Sequence, residues 1–164
     1  MLSIIYIMNA INKLFKINKN VAFAIYIIID TFFVGIGMGV PILNILLGFP
    51  VGWYIAKRLD VDKIGLSEVL GTTLKYSFLT SLYTLILMLI IWGPISTMLL
   101  NPNADFVNFG IPMILYDPKA SFIGWIILMI FISPFLQMLT TIFASNWTLW
   151  RLSKLRRESE THIS

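Results

Sequence analysis

The chain has 164 residues, 58% hydrophobic and only 12% charged, with a net charge of +4 and a mean hydropathy of +0.86. These values exclude a water-soluble domain, which has no interior large enough to hide so much apolar surface. The absence of cysteine excludes disulfides, thiol nucleophiles and thiolate metal sites, and the one histidine, His162, has no second histidine with which to hold a metal, so neither a metal nor a cofactor is expected.

Eleven of the twelve basic residues fall in three clusters: Lys13/Lys16/Lys19, Lys57/Arg58/Lys63/Lys75 and Arg151/Lys154/Arg156/Arg157. Long apolar stretches separate them, the pattern of a multi-pass membrane protein whose basic loops stay cytoplasmic. Basic residues at the ends of apolar segments point to anionic lipid head groups as partners and not to nucleic acid.

Residues 1–20 place Ser3, Asn9, Asn12, Lys13 and Lys16 largely on one helical face and Ile4, Ile5, Met8, Ile11, Leu14 and Phe15 on the other. This predicts an amphipathic helix lying in the membrane interface. Residues 21–56 then carry one charge, Asp30. As a single helix they would reach about 54 Å against a hydrocarbon core near 30 Å, so the stretch is expected to fold back as two short spans, 21–36 and 41–56. The turn falls in Gly35-Ile36-Gly37-Met38-Gly39-Val40-Pro41, with Gly37 and Pro41 as turn residues and Pro50 as a second break further on. A re-entrant hairpin that never reaches the far side is the alternative.

Residues 57–75 read as a mixed-charge cytoplasmic loop with Ile64 to Leu74 possibly helical, and 76–99 as a third span with Pro94 near its outer end. The segment 100–119 holds Asn101, Pro102, Asn103, Asp105, Asn108, Pro112, Asp117 and Pro118 against one basic residue, Lys119, and is expected outside. Residues 120–150 form the last span, with a hinge at Pro134, which frees the carbonyl of Ile130, and with Trp147 and Trp150 at the cytoplasmic interface. Residues 151–164 form a basic then acidic cytoplasmic tail. The expected fold is an all-α integral membrane protein of four spans in two hairpins, in the cell membrane, with both termini cytoplasmic.

Asp30 is the sharpest candidate for chemistry. A carboxylate at the middle of a span costs at least ~2.5 kcal/mol unless it faces protein, water or a cation. With no Lys, Arg or His inside any expected span, its partners must be hydroxyls, amides, water or a cation. Depth along the helices suggests a polar seam of Asp30 and Thr31 with Thr80, Ser81 and Thr84 of the third span and Ser133, Gln137, Thr140 and Thr141 of the fourth. The tentative ion or proton site is Asp30, Thr31, Thr84, Ser133 and Gln137; the other reading is a neutral acid joining helices by hydrogen bonds. Ser145, Asn146 and Thr148 read as an interfacial ending.

Gly35 and Gly39 are four residues apart, as are Gly48 and Gly52, a spacing that lets helices approach closely within the chain or between subunits. Thr31-Phe32-Phe33-Val34-Gly35-Ile36-Gly37 departs from a potassium-channel filter at Phe32. No His-acid pair, Ser-Lys dyad or metal cluster can be assembled, so no enzyme is expected. Two functions remain: an oligomeric channel or transporter component for a small cation or proton, or a non-transporting accessory or assembly subunit of a larger membrane complex.

Overall fold

A computed structural model describes residues 15–36, 41–62, 66–113 and 115–161. Among them the chain is helical and contains no strand: α1 (Lys19–Ile36), α2 (Ile42–Asp62), α3 (Leu66–Ser96), which a 3-10 turn Thr97–Leu100 continues, α4 (Pro118–Ile127), a π-helical turn Leu128–Ile132, and α5 (Ser133–Thr161). Three stretches are long and apolar enough to cross a membrane, Lys19–Ile36, Glu68–Leu100 and Pro118–Arg156. The protein is thus an all-helical protein with the helices of a membrane protein.

Helix starts follow local chemistry. Asn18 starts α1, its side chain accepting from the Asn20 amide (3.0 Å) and its carbonyl from that of Ala22 (3.0 Å). Asp117 does the same for α4, its carboxylate accepting from the amides of Lys119 (2.8 Å) and Ala120 (3.4 Å) while Pro118 takes the first helical position. Most of the expected interfacial helix, and the turn residues Gly37 and Gly39, lie outside the described residues.

Three boundaries differ from expectation. The helix containing the second expected span does not end at 56 but runs to Asp62, through Lys57 and Arg58, and is not among the three stretches apolar enough to span. The expected loop 57–75 is helical on both sides of residues 63–65, because α3 begins at Leu66. Basic and acidic residues are compatible with helix, so a helix can run on past the point where hydrocarbon gives way to water. Pro50 does not interrupt α2, and α3 passes Pro94 before tightening into its 3-10 turn. There Ser96 and Thr97 donate their hydroxyls to the carbonyls of Gly93 (2.6 Å) and Pro94 (2.7 Å).

Proline does reshape the last helix. Pro134 has no amide to give Ile130, and the chain accommodates this with the π turn immediately before it, where the Ser133 amide reaches back five residues to Leu128.

Packing is closest where α2 lies along α5, the two running in parallel. A Cβ on Gly48 would meet the Gln137 carbonyl oxygen at 2.6 Å and also Thr140 Oγ1; one on Gly52 would meet Ala144 Cβ at 2.9 Å and also the Thr141 carbonyl oxygen. Only glycine permits that approach, and it lets Thr140 donate to the Ile45 carbonyl (2.8 Å). At one end Ile55, Leu59 and Val69 pack with Leu149, and Arg58 Nη1 reaches the Ile17 carbonyl (2.7 Å). The start of α1, the end of α2, the start of α3 and the later part of α5 therefore gather together, bringing basic residues of all three clusters to one end. At the other end Val34, Met88, Trp92, Phe122, Trp125, Ile126, Met129 and Ile130 form a second apolar cluster, closed by Phe106 and Phe109 of the loop, whose rings lie 5.0 and 5.3 Å from that of Phe122.

Candidate functional site

Between these apolar ends the interior is polar. On α5, Ser133, Gln137, Thr141 and Ser145 recur every four residues, and each is buried. That spacing places all four on one face. On α3, Thr73, Ser77, Thr80, Ser81 and Thr84 are buried likewise. Bonds tie the two faces: Ser81 donates to the Pro134 carbonyl (2.6 Å), and Thr73 and Ser145 share a hydrogen bond of 3.3 Å. Outside, α1, α3 and α5 present apolar residues such as Ile28, Phe32, Ile90, Phe131 and Phe143, 58–68% exposed. A chain with a polar seam inside and an apolar jacket outside is organised for a lipid solvent.

Asp30 is wholly buried at the top of this seam. Thr84 donates to its Oδ2 at 2.7 Å, and Gln137 Nε2 lies 3.4 Å from its Oδ1. The same amide nitrogen bonds the Tyr26 hydroxyl (3.0 Å), which is also within 3.0 Å of Thr84 Oγ1 and donates to the Thr80 carbonyl (2.9 Å). Tyr26 stands one helical turn before Asp30, so the two share a face of α1. Three elements thus meet at one carboxyl group, and every donor is a neutral side chain. Since 21–56, 76–104 and 120–150 contain no Lys, Arg or His, no fixed positive charge balances an anion there.

The seam contains unsatisfied groups. Ser77 Oγ, Ser133 Oγ and Gln137 Oε1 are buried and have no hydrogen-bond partner among the described residues; the same holds for Asn44 Oδ1 on α2. Buried polar atoms left this way cost about 1–3 kcal/mol each, and water or an ion is what ordinarily relieves them. The bonds around Tyr26, Thr84 and Asp30 form one connected set that joins the phenol, the hydroxyl and the carboxyl group.

Of the residues expected at this site, Asp30, Thr84 and Gln137 are brought into direct contact. Ser133 is buried in the seam, its hydroxyl unpartnered. Thr31 is not part of the site: one residue on from Asp30, it turns about 100° away. It is exposed and bonds the Ile27 carbonyl and the Tyr83 hydroxyl, both at 2.7 Å. Thr140 faces α2 instead of Asp30, as its bond to Ile45 shows. Ser145 is a wholly buried member of the seam, whereas Asn146 is exposed. Gly35 has open space around it, so no close approach depends on it within the chain. Tyr26 was missed because a tyrosine in an apolar run carries no spacing signal; its position one turn from Asp30 is the clue the sequence does contain.

In the segment between α3 and α4, Asp105 accepts from the Asn108 side chain (2.7 Å) and amide (3.1 Å) and from the Val107 amide (3.2 Å). These bonds hold its carboxyl below the usual carboxylate range. It is fully exposed and distant in sequence from the seam, and serves to shape the loop.

No protein-family model matches the chain, and searches of curated proteins and of solved structures also find no match.

Proposed function

We propose that the protein is a component of an oligomeric membrane channel or transporter for protons or a small cation, with Asp30 as the site at which the cation is held. One observation carries this reading: a wholly buried carboxyl group, met by Thr84, Gln137 and Tyr26, with no basic residue in any apolar segment. Burying an uncompensated anion at membrane depth is costly, and such groups face pathways or carry a proton. Partnerless hydroxyls at Ser77 and Ser133 support a seam that takes up water or a cation. The route would run from Asp30 past Thr80 and Ser77 to Thr73 and Ser145, toward the end where the basic residues gather.

That end is the cytoplasmic one in this proposal, because Lys19, Lys57, Arg58, Lys75, Arg151 and Lys154 belong to it. Four spans of the cell membrane in two hairpins follow, with α2 as a short second span shielded by α5 and both termini in the cytoplasm. Four helices seldom enclose a pathway alone, and the exposed face of α1 with Gly35 offers a surface for a second copy. The test is flux. Reconstituted into liposomes, the protein should carry protons or alkali cations above the rate of empty vesicles; equality with empty vesicles rejects the reading and leaves the accessory-subunit role.

A further inference from the structure

A cavity of about 460 Å³ lies between α1, α2 and α3 on the basic side of the Asp30 site. It adjoins the seam, which runs between α3 and α5, through Tyr26 and Thr80, both of which line it. Ile29, Leu47, Val51 and Trp53 are among its mostly apolar lining, Tyr26 is its polar lining toward Asp30, and Lys19, Arg58 and Glu68 are its charged lining. Its size falls in the lower half of the range of about 300–1,000 Å³ typical of sites for one small molecule. Ile25, Ile29 and Trp53 remain 43%, 40% and 41% exposed, so the cavity opens sideways through an apolar face.

Arg58 is the informative residue. Its Nη1 makes both of the guanidinium's hydrogen bonds, to the Ile17 carbonyl at 2.7 Å and the Tyr54 hydroxyl at 3.3 Å. Its Nε is buried without a partner, and no carboxylate pairs with it among the described residues. A half-buried guanidinium held in place by neutral acceptors keeps its full positive charge beside apolar walls. Lys19 adds a second positive charge and Glu68 a single negative one, which leaves the charged end of the cavity net positive. Guanidinium is the group best matched to a carboxylate or phosphate.

We propose that this cavity binds the chain of an anionic amphiphile, with the carboxylate or phosphate head at Arg58 and Lys19 and one acyl chain running along α1 toward Tyr26. An apolar slot open to the side admits such a molecule from the bilayer, and a charged end at the level where the helices turn basic matches the depth of a lipid head. Because Tyr26 both lines the cavity and bonds Thr84 and Gln137, the chain end would abut the residues that hold Asp30. The binding stands on its own observations and does not require that Asp30 conduct.

The test uses the full-length protein in nanodiscs of phosphatidylcholine, titrated with a long-chain fatty acid brominated near its methyl end while tryptophan emission is followed. Saturable quenching that is largely lost in Trp53→Phe is expected, with binding at least tenfold weaker in Arg58→Gln and in Ala22→Phe, which fills the slot without touching Arg58. The brominated alcohol of the same chain length should bind wild type at least tenfold more weakly than the acid. Phosphatidylglycerol added to the nanodisc separates the sources of the head group: competition with the acid identifies a membrane lipid as occupant, and its absence a free carboxylate amphiphile. Quenching that rises without saturation, or that is the same for acid and alcohol on wild type, overturns the proposal even if a variant fails to fold.

Discussion

Replacing Gly52 by alanine should separate α2 from α5, and the geometry sets the size of the effect. The new methyl would lie 2.9 Å from both Ala144 Cβ and the Ser145 nitrogen and closer still to the Thr141 carbonyl oxygen, well inside ordinary contact. Two of these three atoms are backbone, so no side chain can swing aside and the helices must part. Overpacking of this kind costs about 1–3 kcal/mol. Separation also stretches the 2.8 Å bond from Thr140 to the Ile45 carbonyl, and alanine returns up to about 1 kcal/mol through its better helix propensity. Gly71→Ala is the matched control, because nothing lies within 4 Å of a Cβ there, and it should be neutral or slightly stabilising. The two variants should therefore differ by about 2 kcal/mol, which for a chain of this size corresponds to roughly 4–8 °C in Tm. Thermal unfolding in mild detergent, followed by circular dichroism, measures it. Equal melting temperatures for Gly52→Ala and Gly71→Ala would refute the close packing of α2 on α5.

Thr84→Val removes the donor to Asp30 while keeping shape, and should lower stability by about 1 kcal/mol, near the upper part of the range for hydrogen bonds between membrane helices; Thr31→Val, at an exposed position outside the site, should change the same melting curve very little. The depressed titration of Asp105 means that its bonds contribute fully above the ordinary carboxylate pKa of about 4 and are lost as pH falls through the lower value of the folded loop. Protection of the Val107 and Asn108 amides from hydrogen exchange, relative to their intrinsic rates, should be lost over that acidic window in wild type and be absent throughout in Asp105→Ala. For the proposed topology, a cysteine placed at Asn103 should react with an impermeant maleimide added outside intact cells and one at Ser153 should not; the reverse labelling would falsify the orientation.

Much of the helical layout was legible because uncharged stretches of a membrane protein are long and the basic residues sit at their ends. The ends themselves were legible only in part: helix was open for Leu66 to Leu74 but not for Lys57 to Asp62, since charge marks the edge of hydrocarbon and has no comparable say in where backbone hydrogen bonding stops. Around Asp30, the burial penalty pointed to polar partners, and counting residues along α3 and α5 brought Thr84 and Gln137 to its level. Rotation about each helix was harder to read. Thr31 was grouped with Asp30 by adjacency although it lies about 100° around α1, and Ser145 was assigned to the interface by depth although its face of α5 is the buried one. Tyr26 needed the α1–α3 contact to be visible, because its apolar ring disguises a hydroxyl that bonds three other groups.

The central claim is that Asp30 holds the transported cation, and proton and alkali-cation flux through liposomes containing Asp30→Asn tests it most directly. Asparagine keeps the size of the side chain and can keep the bond from Thr84, and Gln137 can turn its partnerless Oε1 toward the new NH2, while the charge and the exchangeable carboxyl proton are removed. The account predicts a variant that melts within about 2–4 °C of wild type, a change of no more than ~1 kcal/mol, and loses at least nine-tenths of the flux. A well-folded Asp30→Asn protein that transports at the wild-type rate would contradict it.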